Sequence, residues 1–129
     1  MAHRWVAAAA INGLLAVACG AFGAHALKDR LTPEDLAVFE TGDRYQMYHT
    51  TALLAVGWVA GQRRRRLAGV AGWCFVAGMV LFCGSLYALV LSGHRSWGMV
   101  TPIGGVGLMI GWAVLAVAAL RRPDVDEGG

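Results

Sequence analysis

The sequence predicts an all-α integral membrane protein: a four-transmembrane-helix bundle with a short interfacial amphipathic helix between the first and second spans. Three observations predict it. The chain of 129 residues is 57% hydrophobic and only 15% charged, whereas ordinary soluble domains carry about 25% charged residues. Its apolar residues fall in runs near the roughly 20 residues that a helix needs to cross a hydrocarbon core about 30 Å thick. Its basic residues gather at the ends of those runs, as they do when they orient a membrane protein. The length suits a single membrane domain over residues 1–129.

The first span is expected at about 5–27, with Asn12 and His25 its main polar interruptions. A small-residue pattern, Ala24-His25-Ala26, and the string "LAVACG" raise a signal-peptide or lipoprotein reading. The apolar run exceeds the usual signal length and a capped helix follows it, so the segment is expected to stay as a span. Next comes "LTPEDLAVFETGDRY". Thr32 suits a cap, Pro33 the first helical position, and Asp35 the acid of a capping box, with Leu31 and Leu36 spaced as a hydrophobic staple. These signals place an interfacial helix at about 33–41, broken at Gly42 or continuing into the second span.

The second span, about 45–61, is the shortest and lies at the lower limit for crossing. The third, about 67–92, and the fourth, about 99–120, are ample; a polar tail, 121–129, follows. Thr101 is placed to cap the last span, with Pro102 in its first turn, where a missing N–H costs little.

Four spans put Arg4, the turn arginines Arg63, Arg64, Arg65 and Arg66, and Arg121 and Arg122 on one side. Lys28, Arg30, Arg44 and Arg95 fall on the other, among five acids. The positive-inside rule then makes both termini cytoplasmic and the arginine turn a topology anchor, not a nucleic-acid site. The localisation expected is the bacterial plasma (inner) membrane, multi-pass.

Helices in lipid associate through close packing of small residues. The candidates are Ala16, Gly20 and Ala24 in the first span, Ala71, Gly78, Ser85 and Ser92 in the third, and Gly104, Gly107 and Gly111 in the fourth. Such ladders serve contacts within one bundle or between protomers. Asn12 and Ser85 are the deeper polar side chains, each suited to an interhelical hydrogen bond. Cys19, Cys74 and Cys83 form no CxxC pattern and are expected as free, buried thiols.

The remaining polar candidates are His25, Tyr45 and His49. Tyr45 and His49 lie four residues apart on one helix face, and all three are expected near the outer leaflet. Neutral imidazoles both donate and accept, which suits ties between helix ends and loop carbonyls. A metal or haem site is the sharper alternative, with His25, His49 and His94 as weak ligand candidates and Met47 and Met99 as soft additions. The spacing matches no metal motif. Asp29, Glu34, Asp35, Glu40 and Asp43 read as a solvated face.

No nucleophile elbow, phosphate loop, HExxH or dinucleotide fingerprint is present, so no enzyme activity and no cofactor are expected. No Asp, Glu, Lys or Arg interrupts the apolar spans as drawn, which gives little support to a transporter or channel subunit. The reading preferred is a structural, assembly or accessory role, with the lipid bilayer as partner and no nucleic acid. A homo-oligomer or larger membrane complex stays open.

Four local strings go further. "GAFGAHALKDRL", "YQMYHTTALLAVG", "GSLYALVLSG" and "TPIGGVGLMIGW" together resemble the YgdD-like family of small inner-membrane proteins, catalogued as domain of unknown function 423, with eukaryotic relatives called transmembrane protein 256. The resemblance runs from about Asn12 to Trp112. Its matching positions are Gly23, His25, Tyr45, His49, Ser85, Tyr87, Pro102, Gly104 and Gly105. It implies a four-helix integral membrane protein and brings no settled reaction, substrate or cofactor. The arginine run and the acidic tail look peculiar to this chain.

Overall fold

The computed structural model describes residues 1–62 and 65–121. Arg63, Arg64, Arg122 and the rest of the tail lie outside them. Four long helices follow one another: α1, Ala2–Phe22, extended by a π-helical turn at Gly23–Leu27; α2, Pro33–Gln62; α3, Arg65–Ser92; and α4, Thr101–Leu120, preceded by a 3₁₀ turn at Arg95–Met99. No strand occurs among the described residues.

Among the described residues three segments are long and apolar enough to cross a membrane: Ala2–Leu27, Arg65–Ser92 and Arg95–Leu120. The 30-residue α2 is not one of them. Its N-terminal part carries Glu34, Asp35, Glu40, Asp43 and Arg44, and its apolar part is interrupted by Gln46, His49, Thr50 and Thr51.

The separate interfacial helix expected at 33–41 is not formed. Thr32 caps the start as read, its hydroxyl accepting from the Asp35 amide at 3.2 Å, but the helix then runs unbroken through Gly42 to Gln62. Gly42 does not break it because it is a contact: a Cβ there would lie 2.9 Å from the Tyr87 ring. Phe39 is buried with Leu27, Leu89 and Val90, and the staple residues Leu31 and Leu36 pack against that cluster. The amphipathic segment thus faces protein. Arg95 pairs with Asp35 at 2.8 Å and ties the α3–α4 loop over this end.

Helices α2 and α3 form the centre, with α1 against α2 and α4 against α3. Phe75, Leu53 and Val56 are the largest fully enclosed side chains. Most of the remaining apolar surface of α1 and α4 points outward, including Leu14, Val17, Ile103 and Met109, as lipid-facing helices require. Where backbones nearly touch, glycine is obligatory. A Cβ at Gly104 would stand 2.3 Å from the Phe82 amide nitrogen, and one at Gly78 2.8 Å from that of Leu108. Gly111 meets Phe75, and Gly107 faces the Gly78 backbone. Ala16 and Ala71 are buried, while Ala24 and Ser92 are exposed. Helix α3 ends at Gly93, the one positive φ among the described residues (+76°), a position suited to a left-handed C-terminal turn.

Thr101 does not cap α4. Its hydroxyl lies 2.6 Å from that of Ser85 and joins α4 to α3 instead.

Candidate functional site

Of the expected cluster, the structure brings Tyr45 and His49 together and leaves His25 apart. His49 lies at the middle of α2 and is 4% exposed. Trp112 of α4 donates its indole N–H to His49 Nε2 at 3.2 Å. That donor makes Nε2 the acceptor, so the proton sits on Nδ1 and is donated to the Tyr45 carbonyl at 2.6 Å. Both ring nitrogens are therefore engaged by protein. Around the imidazole stand Tyr45 (6.2 Å, stacked), Phe75 (5.7 Å) and Trp112 (5.9 Å), so three helices meet on one histidine.

His25 lies exposed in the π-helical turn, and His94 lies exposed just beyond α3. Among the described residues no three His, Cys, Asp or Glu side chains are grouped so as to hold a metal ion.

Beside His49 a lateral cleft opens between α2 and α4, with a volume of about 600 Å³. Tyr45, Tyr48, Phe82, Val106, Met109 and Trp112 form most of its wall. It exists because α2 and α4 both lean on α3 and barely touch each other.

A second polar constellation, which sequence reading did not assemble, occupies the opposite side between α1, α2 and α3. The Asn12 amide donates to Thr50 Oγ1 at 2.8 Å and to the Gln46 carbonyl at 3.1 Å. Gln46 Nε2 returns a bond to Asn12 Oδ1 at 3.1 Å, and the Tyr87 hydroxyl donates to Gln46 Oε1 at 2.7 Å. At its outer end sits Asp43, partly buried, not on a solvated face as its sequence context suggested. Its Oδ1 has no hydrogen-bond partner and is shut off from solvent. The available signal was the spacing of Asp43, Gln46 and Thr50, which puts the three on one helical face.

A fold that among the described residues is built of helices alone, with three membrane-length apolar segments, apolar side chains outside and hydrogen-bonded polar groups inside, defines a multi-pass membrane protein. Comparison with known proteins places it more closely. Residues 19–105 match the family described as "Protein of unknown function (DUF423)", and the chain belongs to that family. It is 46% identical over 114 residues to the UPF0382 inner membrane protein YgdD of Escherichia coli K12, covering 88% of this chain and 86% of the relative. A UPF0382 membrane protein of Staphylococcus epidermidis is 45% identical over 112 residues, covering 87% and 91%. The UPF0382 membrane protein YwdK of Bacillus subtilis is 44% identical over 117 residues, covering 87% and 92%. No solved structure matches the chain.

Proposed function

We propose that α2 crosses the bilayer with the other three helices, that both termini are cytoplasmic, and that the protein is a non-catalytic structural, assembly or accessory component of the inner membrane. The observation that carries the non-catalytic reading is the engagement of His49: Nε2 is tied to Trp112 of α4 and Nδ1 to the Tyr45 carbonyl of its own helix, leaving neither for a substrate or ligand. The crossing of α2 is supported by its packing against both α1 and α3, with buried residues running from Phe39 to Ala60. A helix so enclosed needs less apolar surface of its own than one facing lipid. The orientation is supported by the excess of arginines at one end of the bundle, of which Arg4, Arg65, Arg66 and Arg121 are described and exposed.

The accessory role is supported by the lateral cleft. An aromatic-lined recess open to the side is suited to apolar side chains from a neighbouring membrane component. A photo-crosslinking amino acid at Met109, on the cleft, is expected to give a discrete protein adduct in intact membranes, and the same group at Val17, on the far side of α1, is not. Lipid adducts alone at both positions contradict the accessory role.

A further inference from the structure

Among the described residues the carboxyl group of Asp43 carries the one enclosed side-chain oxygen or nitrogen without a partner. Its Oδ1 is enclosed and unpartnered, and Oδ2 lies over Gly20 of α1, so close that a Cβ there would stand 2.8 Å away. The titratable groups facing it are Cys19 from α1 and Cys83 and Tyr87 from α3, each near enough to sense its charge. None is a cation at neutral pH. On its own helix the charged neighbours Glu40 and Arg44 are exposed, and no described basic side chain forms an ion pair with it. Helix α4 does not reach it.

A carboxylate with one oxygen enclosed and unpartnered and no cation beside it is unfavourable, and an ionisable group inside a membrane bundle ordinarily marks a functional site. A hard metal cation requires several oxygen ligands, which this mixture of thiols, a phenol and an already bonded amide does not offer. A proton requires only the carboxyl oxygen.

We propose that Asp43 is a proton-binding site, its neutral form favoured while α1 is seated on α2 at Gly20 and its charged form favoured as that contact loosens and admits water to Oδ1. The chain of bonds from Tyr87 through Gln46 and Asn12 to Thr50 does not turn it into a pathway. Side-chain amides are poor proton relays, and beyond Thr50 the interior is closed by Leu53 and Val56, both fully buried. The proton enters and leaves at the same end of the bundle, the end where α1 meets Leu27. The site thus reports proton concentration on that one side, and it does so by tightening or loosening the α1–α2 contact. This inference is independent of the accessory reading.

The test uses the intact protein in proteoliposomes treated with the apolar reagent dicyclohexylcarbodiimide. A protonated carboxyl gives its proton to one carbodiimide nitrogen while its oxygen bonds to the central carbon. An O-to-N acyl shift then leaves a stable N-acylurea with no atom lost. Mass spectrometry is expected to find the adduct at Asp43 in preference to the exposed Glu34 and Glu40. Labelling is expected to fall about tenfold for each pH unit above the titration midpoint. The infrared carbonyl band of a protonated carboxyl is expected in the parent and in Glu40→Gln, and to be absent in Asp43→Asn. Equal labelling of Asp43 and Glu40, labelling indifferent to pH, or no protonated-carboxyl band in the parent overturns the proposal. The parent's labelling and spectrum decide the matter even if Asp43→Asn fails to fold.

Discussion

Replacing Gly104 by alanine tests the α3–α4 contact with a single methyl group. The added carbon would stand 2.3 Å from the Phe82 amide nitrogen and 2.8 Å from the Leu81 carbonyl carbon and the Phe82 Cα, whereas ordinary contact begins at 3.4 Å. All three neighbours are backbone, so no rotamer change relieves the overlap, and the helices must part locally by about 1 Å. Overpacking of this kind costs about 1–3 kcal/mol. Alanine is also the better helix former, by about 0.8–1.0 kcal/mol, and that gain is common to every Gly→Ala change within a helix. Gly105→Ala and Gly84→Ala are therefore the right controls. Position 105 meets only the Phe82 ring, at 3.6 Å, and position 84 meets nothing within 4 Å. Unfolding of the purified protein by titrating a denaturing detergent into a mild one should show Gly104→Ala destabilised by about 1–3 kcal/mol and both controls unchanged or stabilised. Equal midpoints for Gly104→Ala and Gly105→Ala would refute the close approach of the two backbones.

Further outcomes are expected. A double-mutant cycle of His49→Phe and Trp112→Phe should give a coupling of about 0.5–2 kcal/mol, the range for hydrogen bonds between membrane helices; zero coupling contradicts the shared bond. Asn12→Leu and Gln46→Leu should each destabilise the fold by about 1–3 kcal/mol, because each leaves buried polar partners unsatisfied, and their double mutant should lose less than the sum. Additive losses contradict the network. Arg95→Ala should leave the unfolding midpoint unchanged at physiological salt, since its side chain is exposed and the Asp35 pair is screened. A salt-independent drop would show that the loop closure is structurally essential.

The parts of the fold legible in the sequence are those set by local chemistry. Thr32 and Pro33 announce the start of α2, and Gly78 and Gly104 sit where small residues were expected to serve close approach. Asn12 and Ser85 were marked as candidates for interhelical bonds and make them, to Gln46 and Thr50 and to Thr101. What was illegible depends on neighbours distant in sequence. At Gly42 a break and a continuation both stayed open, because local propensity does not reveal Tyr87 opposite it. Asp43, beside Arg44 in a charged stretch, read as solvated because nothing nearby discloses that Gly20 lies over it. Thr101 read as a cap because its nearer acceptor, Ser85, is on another helix. For the candidate site, the four-residue spacing of Tyr45 and His49 was readable, while their depth and the Trp112 donor were set by how α4 packs. His25 resembled His49 in sequence context, yet it ends its helix at the surface.

The central claim is that α2 crosses the membrane. It is tested most directly by single cysteines at Glu34 and Gln62, near the two ends of α2, in a chain whose Cys19, Cys74 and Cys83 are replaced by alanine. With a membrane-impermeant maleimide on spheroplasts, Glu34→Cys should label at once and Gln62→Cys only after permeabilisation. Labelling of both, or of neither, before permeabilisation would contradict the account.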